Sequence, residues 1–231
     1  MFGVAKFAAM MSLCLAAAGC AAPTDSVGAI APLSVSARNI APDPPHAGAM
    51  PDMGVAEPAP AGFISFCTRF IQQCSTPQDA PAMIALSPET WQALQNVNER
   101  INHALRPMDD KRHYGRAEYW NIPTDGYGDC EDYALSKRKA LLDAGFSEAA
   151  LRLAIVLTRS RERHAVLTVT TDHGDFVLDN LGNAITGWDQ TGYQWLERQD
   201  ARQAWLWTAY DADRADAASI ASIADPVGAA R

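Results

Sequence analysis

Gly128-Asp129-Cys130-Glu131-Asp132-Tyr133-Ala134 sets one cysteine among three carboxylates at the head of a helical run. A helix N-terminus favours an anion through its free amide donors and macrodipole, and the thiolate is the reactive form of cysteine. The helix is expected to begin at Asp129 or Cys130, end at Ala144 and stop at Gly145, with Tyr133, Leu135, Ala140, Leu141 and Leu142 turned inward. Lys137, Arg138 and Lys139 fall in its later half, where cations suit the negative end of the dipole.

The chain downstream reads as sheet. After a short helical turn from Ser147, Leu151 to Thr158 is expected as a strand, and His164 to Thr171 alternates with the period of two of a second strand. Asp172-His173-Gly174-Asp175 is a turn, and Phe176 to Asp179 is the third strand. The turn makes these last two strands antiparallel, so the start of one lies near the end of the other. His164 and Asp179 are thereby expected as neighbours across the ladder. A cysteine nucleophile needs a base for its proton and a third group to orient that base. Cys130, His164 and Asp179 offer that set. The plainer readings are a strand-end histidine, a carboxylate capping the turn at Asn180, and an inert buried thiol, which the neighbouring charges oppose. Tyr193 to Leu196 and Trp205 to Trp207 add further sheet.

Upstream, Ser87-Pro88-Glu89 supplies a cap with proline at the first helical position. Trp91, Leu94, Val97, Ile101 and Leu105 then recur at helical spacing and predict an amphipathic helix over 88–105. Asp109 to Gly128 is a long connection holding Tyr114, Tyr119, Trp120, Pro123 and three glycines. It reads as an ordered loop near a site, its aromatics serving either the site or the core. Among the histidines, His46 falls in the N-terminal segment, His103 on the polar side of the first helix and His173 in a turn. His113 either lines a groove or sits on the surface.

Residues 1–20 carry Lys6, an apolar run from Phe7 to Ala18 and a small-residue site at Ala17-Ala18-Gly19-Cys20, the pattern of an export signal. The run is shorter than the roughly 20 residues a spanning helix needs. Cleavage before Cys20 leaves a lipid-anchored protein, and cleavage after Ala18 a soluble one. Residues 21–61, rich in Ala, Pro and Gly, are expected as a disordered tether, 62–210 as the folded domain, and 211–231 as an Ala/Asp-rich tail. In an oxidising compartment Cys67 and Cys74 can pair across a short loop and leave Cys130 free, whereas their spacing suits no zinc site. The net charge of −8 and the absence of a dense basic patch argue against nucleic acid as partner. No glycine-rich phosphate loop points to a nucleotide.

Tyr119-Trp120-x-x-Pro123 leading into Gly128 to Ala134, followed by Arg163-His164-Ala165-Val166-Leu167 and Leu178-Asp179-Asn180, resembles the bacterial transglutaminase-like cysteine peptidases. That family includes the LapG-type periplasmic proteases, which release surface adhesins. The resemblance spans about residues 62–210. It implies an α+β, papain-like or transglutaminase-like fold, with Cys130 on a helix packed against an antiparallel sheet that carries His164 and Asp179.

It also implies Cys130 as nucleophile, His164 as base and Asp179 as orienting carboxylate. Protein substrates at the cell envelope, a periplasmic location and an inner-membrane regulatory receptor follow from it as expectations.

Three negative charges beside Cys130 oppose thiolate formation unless a cation offsets them. Oxygen ligands of this kind suit Ca²⁺. The resemblance places calcium at Asp129 and Glu131, with Asp132 as a further ligand; alternatively the three acids only complement the helix start, worth about 0.3–1 kcal/mol each. Two other functions stay open on the same residues: an amidase or acyltransferase, which differs only in the acceptor, and a non-catalytic, calcium-dependent binding module.

Overall fold

The computed structural model describes residues 43–51 and 54–210. The expected export signal with Cys20 and the expected C-terminal tail lie outside the described residues. A seven-stranded sheet forms the centre. In chain order its strands are β1 (Val55–Pro58), β4 (Leu151–Leu157), β5 (Arg163–Thr171), β6 (Gly174–Leu178), β7 (Thr186–Gly187), β8 (Gln194–Gln199) and β9 (Leu206–Ala209). Their spatial order is β1-β9-β8-β4-β5-β6-β7, with antiparallel pairing at every step. The helices are α1 (Ala61–Arg69), α2 (Pro88–Ala104), α3 (Asp110–His113) and α4 (Cys130–Asp143). Two short strands, β2 (Arg106–Pro107) and β3 (Tyr127–Gly128), pair in parallel beside them. The α+β expectation holds.

Packing explains why these segments take these forms. α2 starts where the Ser87 hydroxyl accepts the Thr90 amide at 3.2 Å with proline at the first position, a cap worth about 1 kcal/mol. It buries Leu94, Val97 and Ile101, the residues its spacing had predicted. α4 packs on β5 and α2, and Leu135 and Leu141 join Leu151, Leu153, Leu167 and Phe176 in the main core. Full burial of such side chains contributes roughly 1.5–3 kcal/mol each. The opposite sheet face buries Ala154, Val156, Val166 and Val177 under Trp188, Tyr193 and Trp195. Because both faces are covered, all of β4 is buried. Trp120 is 2% exposed and meets Phe63 and Trp207 edge-on, so it belongs to the core.

Of the expected tether, residues 43–51 and 54–61 are described, and they lie against the sheet and in α1. Pro44 and Met50 are buried. The Ala47 amide donates to the His173 carbonyl at 2.8 Å and the Asp175 amide to the Gly48 carbonyl at 3.0 Å. Val55–Pro58 then pairs with β9, so the segment from residue 43 to 51 straps onto the sheet and β1 completes its edge. Main-chain hydrogen bonds dock this segment, and they need no large apolar side chains. Gly174, at φ +106°, permits the crossing: a Cβ there would stand 2.2 Å from the Ala47 carbonyl oxygen. Cys67 and Cys74 form the expected disulfide, joining α1 to the turn after it across a Cα separation of 5.7 Å.

Candidate active site

Cys130 is the first residue of α4 and the free cysteine of the described residues. Its thiol donates to Glu131 Oε2 at 3.1 Å, while the Ala165 backbone amide hydrogen-bonds the sulfur. Burial pushes the thiol's pKa up, the neighbouring Glu131 charge pushes the same way, and the Ala165 amide opposes both. With the acids uncompensated, Cys130 is held as a thiol.

His164 and Asp179 meet as the hairpin required. The β5–β6 register pairs Leu167 with Leu178, and one further step places Asp179 opposite Val166, two residues from His164. His164 Nε2 lies 2.7 Å from Asp179 Oδ1. The Leu181 amide donates to the same oxygen at 3.0 Å, and the Tyr193 hydroxyl donates to Oδ2 at 2.5 Å. Burial alone would raise Asp179, but the His164 bond and charge, the Leu181 amide and the Tyr193 hydroxyl together hold it below the ordinary carboxylate range. An ionised carboxylate only accepts, which assigns the Nε2 proton to His164 and leaves Nδ1 as the basic nitrogen. α2 fastens the loop behind Asp179: Asn102 Nδ2 donates to the Asp179 carbonyl at 2.9 Å and Asn98 Nδ2 to the Asn183 carbonyl at 2.9 Å. Cys130 and His164 together line two clefts, one of about 840 Å³ bounded by β1, Trp120 and Ala165 and one of about 320 Å³ bounded by Met108, Arg112 and Leu181. A chain passing through both would lie across the sulfur.

The acids divide in a way the sequence did not indicate. Oxygens of Asp110, Asp129 and Glu131 lie within 4.8 Å of one another, while Asp132 turns away. Glu131 and Asp132 are successive residues of α4 and so point about 100° apart. Asp132 Oδ1 accepts the Asn121 amide at 2.7 Å, and burial raises its pKa to about 8. Asp132, expected as a further ligand beside Asp129 and Glu131, thus lies outside the group whose oxygens converge, and Asp110 is its third member. Asp110 is 2% exposed; one of its oxygens accepts the Tyr119 amide. Oδ1 of Asp110 and Oδ1 of Asp129 have no hydrogen-bond partner among the described residues. Burial first, and neighbouring carboxylate charge second, raise Asp129, and burial raises Glu131. Burial therefore favours the protonated acids here, and ionising them costs free energy unless a cation completes them. An all-oxygen set with spare acceptors suits a hard divalent ion.

The match to a family model decides the assignment: residues 53–215 fit bacterial transglutaminase-like cysteine proteinases. The chain belongs to that family. It is a cysteine peptidase. Solved structures similar to it include three of LapG from Legionella pneumophila. The calcium-bound form is 24% identical with a TM-score of 0.45, covering 52% of this chain and 69% of that one. The EGTA-treated form is 25% identical with a TM-score of 0.45, covering 52% and 67%, and a further form is 24% identical with a TM-score of 0.45, covering 56% and 75%. No curated protein matches the sequence.

Sequence reasoning missed two neighbours of the peptidase site. Tyr193 was read only as sheet, and Lys137 only as a dipole-compensating cation. Lys137 is fully buried; burial lowers its pKa to about 7, against the opposing charge of Asp179. His113 is half-buried, bonding Asp125 at 2.7 Å and stacking on Tyr114.

Proposed function

We propose that the protein is an exported, calcium-dependent endopeptidase acting on cell-envelope proteins, with Cys130 as nucleophile, His164 as general base and Asp179 as its orienting carboxylate. The observation that carries this reading is the His164–Asp179 bond of 2.7 Å, with Cys130 and His164 facing the same two clefts. His164 Nδ1 takes the thiol proton, and the sulfur attacks the peptide carbonyl carbon. The oxyanion is met by the Cys130 backbone N–H, in the first turn of α4 where no helical carbonyl claims it. His164 then gives its proton to the departing amine as the C–N bond breaks, leaving a thioester. Water adds to the thioester, losing a proton to His164, and the C–S bond breaks to release the carboxylic acid.

Asp110, Asp129 and Glu131 would hold calcium. The ion supplies positive charge beside the thiol, opposing the acid charge that now keeps Cys130 protonated. Residues 1–20 provide the export signal in this reading, and Cys20 a lipid anchor where cleavage precedes it. An inner-membrane receptor is the regulator that the family setting suggests.

Cys130→Ala is expected to abolish peptide hydrolysis without lowering the melting temperature, and Asp179→Asn to reduce turnover by roughly 10²–10⁴ through a misoriented imidazole. Turnover retained in Cys130→Ala refutes the assignment. Product masses in water against added primary amine distinguish hydrolysis from acyl transfer.

A further inference from the structure

Asp179 accepts on both oxygens. On Oδ1 the donors are His164 and the Leu181 amide; on Oδ2 the donor is the Tyr193 hydroxyl at 2.5 Å. A carboxylate fixed through one oxygen alone can rotate about its Cβ–Cγ bond and carry the imidazole with it. A donor on the second oxygen removes that freedom.

The loop ahead of β8 is built to deliver this hydroxyl. Gly192 takes φ +69°, and a Cβ there would meet the Arg159 guanidinium at 2.8 Å, so glycine alone passes this corner comfortably. The Thr191 hydroxyl accepts the Tyr193 amide at 3.2 Å and donates to the Trp188 carbonyl at 2.9 Å. The Tyr193 ring packs edge-on to His164, with centroids 6.1 Å apart, and belongs to the aromatic layer over the sheet's second face. The same side chain thus contacts the base by its ring and the carboxylate by its hydroxyl.

We infer that Tyr193 is a positioning residue of the peptidase, holding the Asp179 carboxylate in the plane that presents Oδ1 to His164. The inference rests on the Cys130–His164–Asp179 reading above. Tyr193 takes no proton from substrate and touches none; it acts through Asp179. Burial and the Asp179 charge keep its hydroxyl protonated well beyond the ordinary tyrosine range, with Arg159 opposing, so the donor persists across the working range of the enzyme. The charged groups around Asp179 are His164 on β5, Lys137 on α4 and Arg159 in the β4–β5 loop; none replaces a hydroxyl on Oδ2.

The test is a double-mutant cycle on the full chain with calcium present, reading the rate of Cys130 alkylation by iodoacetamide near neutral pH. Tyr193→Phe keeps the ring and is expected to slow alkylation about ten-fold, the scale of one hydrogen bond to a charged group. Asp179→Asn slows it further. Adding Tyr193→Phe to Asp179→Asn is expected to change nothing more, because the group through which Tyr193 acts is already lost. In parallel, the deshielded proton NMR signal of the His164–Asp179 bond is expected to move in Tyr193→Phe. A merely structural tyrosine would leave that resonance in place and slow both backgrounds equally.

A single-variant rate equal to wild type, or additive effects in the cycle, overturns the inference while leaving the peptidase reading standing. A wild-type Cys130 that reacts no faster than free cysteine overturns both. Melting temperatures of the four proteins separate loss of fold from loss of positioning.

Discussion

Two buried charge clusters lie on opposite faces of this sheet, and only one of them is closed. Behind β5, Arg198 is 1% exposed. Its Nη2 donates to Asp175 Oδ1 at 2.6 Å and to Thr170 Oγ1 at 2.8 Å, and its Nε donates to Thr168 Oγ1 at 3.0 Å. Asp175 Oδ2 accepts the Met50 amide at 2.7 Å. Cation, anion and hydroxyls answer one another there, and the N-terminal strap is sewn to the sheet by the same carboxylate. In front of β5, Asp110, Asp129 and Glu131 gather three carboxylates and leave two oxygens without a hydrogen-bond partner among the described residues. A closed cluster holds structure, whereas an open one keeps capacity for a ligand. The free thiol stands beside the open one.

The contrast can be broken most forcefully from the closed side. Asp175→Ala removes the carboxylate that Arg198 Nη2 and the Met50 amide both bond, so unfolding free energy should fall by about 3 kcal/mol in denaturant titrations. Rapid Cys130 labelling should survive wherever the fold does. A loss below 1 kcal/mol would mean that the network is ornamental.

On the open side the sign reverses. Asp110→Asn removes one of three like charges and should cost the calcium-free chain little or even stabilise it, while erasing the stabilisation by calcium, which is about 2.7 kcal/mol at a hundred-fold excess over Kd. Thermal melts with calcium and with EGTA read both quantities. Calcium stabilisation that persists unchanged in Asp110→Asn would show that the ion binds elsewhere.

These two clusters also mark where the sequence was legible. Cys130, His164 and Asp179 were readable because each lies on or beside a periodic element whose ends are signalled locally: a helix start, a strand start and a hairpin end. Asp110 was not, because it reaches Asp129 only through the parallel β2–β3 pairing and the single turn of α3, and neither leaves a periodic trace. That Asp132 points away from this group was hidden for the complementary reason: its charge was visible in the sequence but its direction around the helix was not. The strap at 43–51 was hidden because it docks by main-chain bonds and glycine clearance, which composition does not encode. Tyr193 was hidden by an apolar run that reads as strand whatever its hydroxyl touches.

Asp132 supplies an effect read through pH. Its folded pKa of about 8 stands above the unfolded value of 3.8, so its contribution to stability is complete below the unfolded value and is lost as pH rises through the folded one. The chelated wild type should lose melting temperature between acid and mildly alkaline pH that Asp132→Asn does not lose. Parallel slopes in the two proteins would place Asp132 ionised throughout.

The central claim is that the open acidic cluster governs the nucleophile beside it. Purified mature protein, incubated with an electrophilic thiol probe in calcium and in EGTA, reports this directly when the adduct is located by mass spectrometry. Fast labelling confined to Cys130 in calcium, falling steeply in EGTA, is the predicted result. Equal labelling in both conditions, or a Cys130 that stays unreactive in calcium, would contradict it.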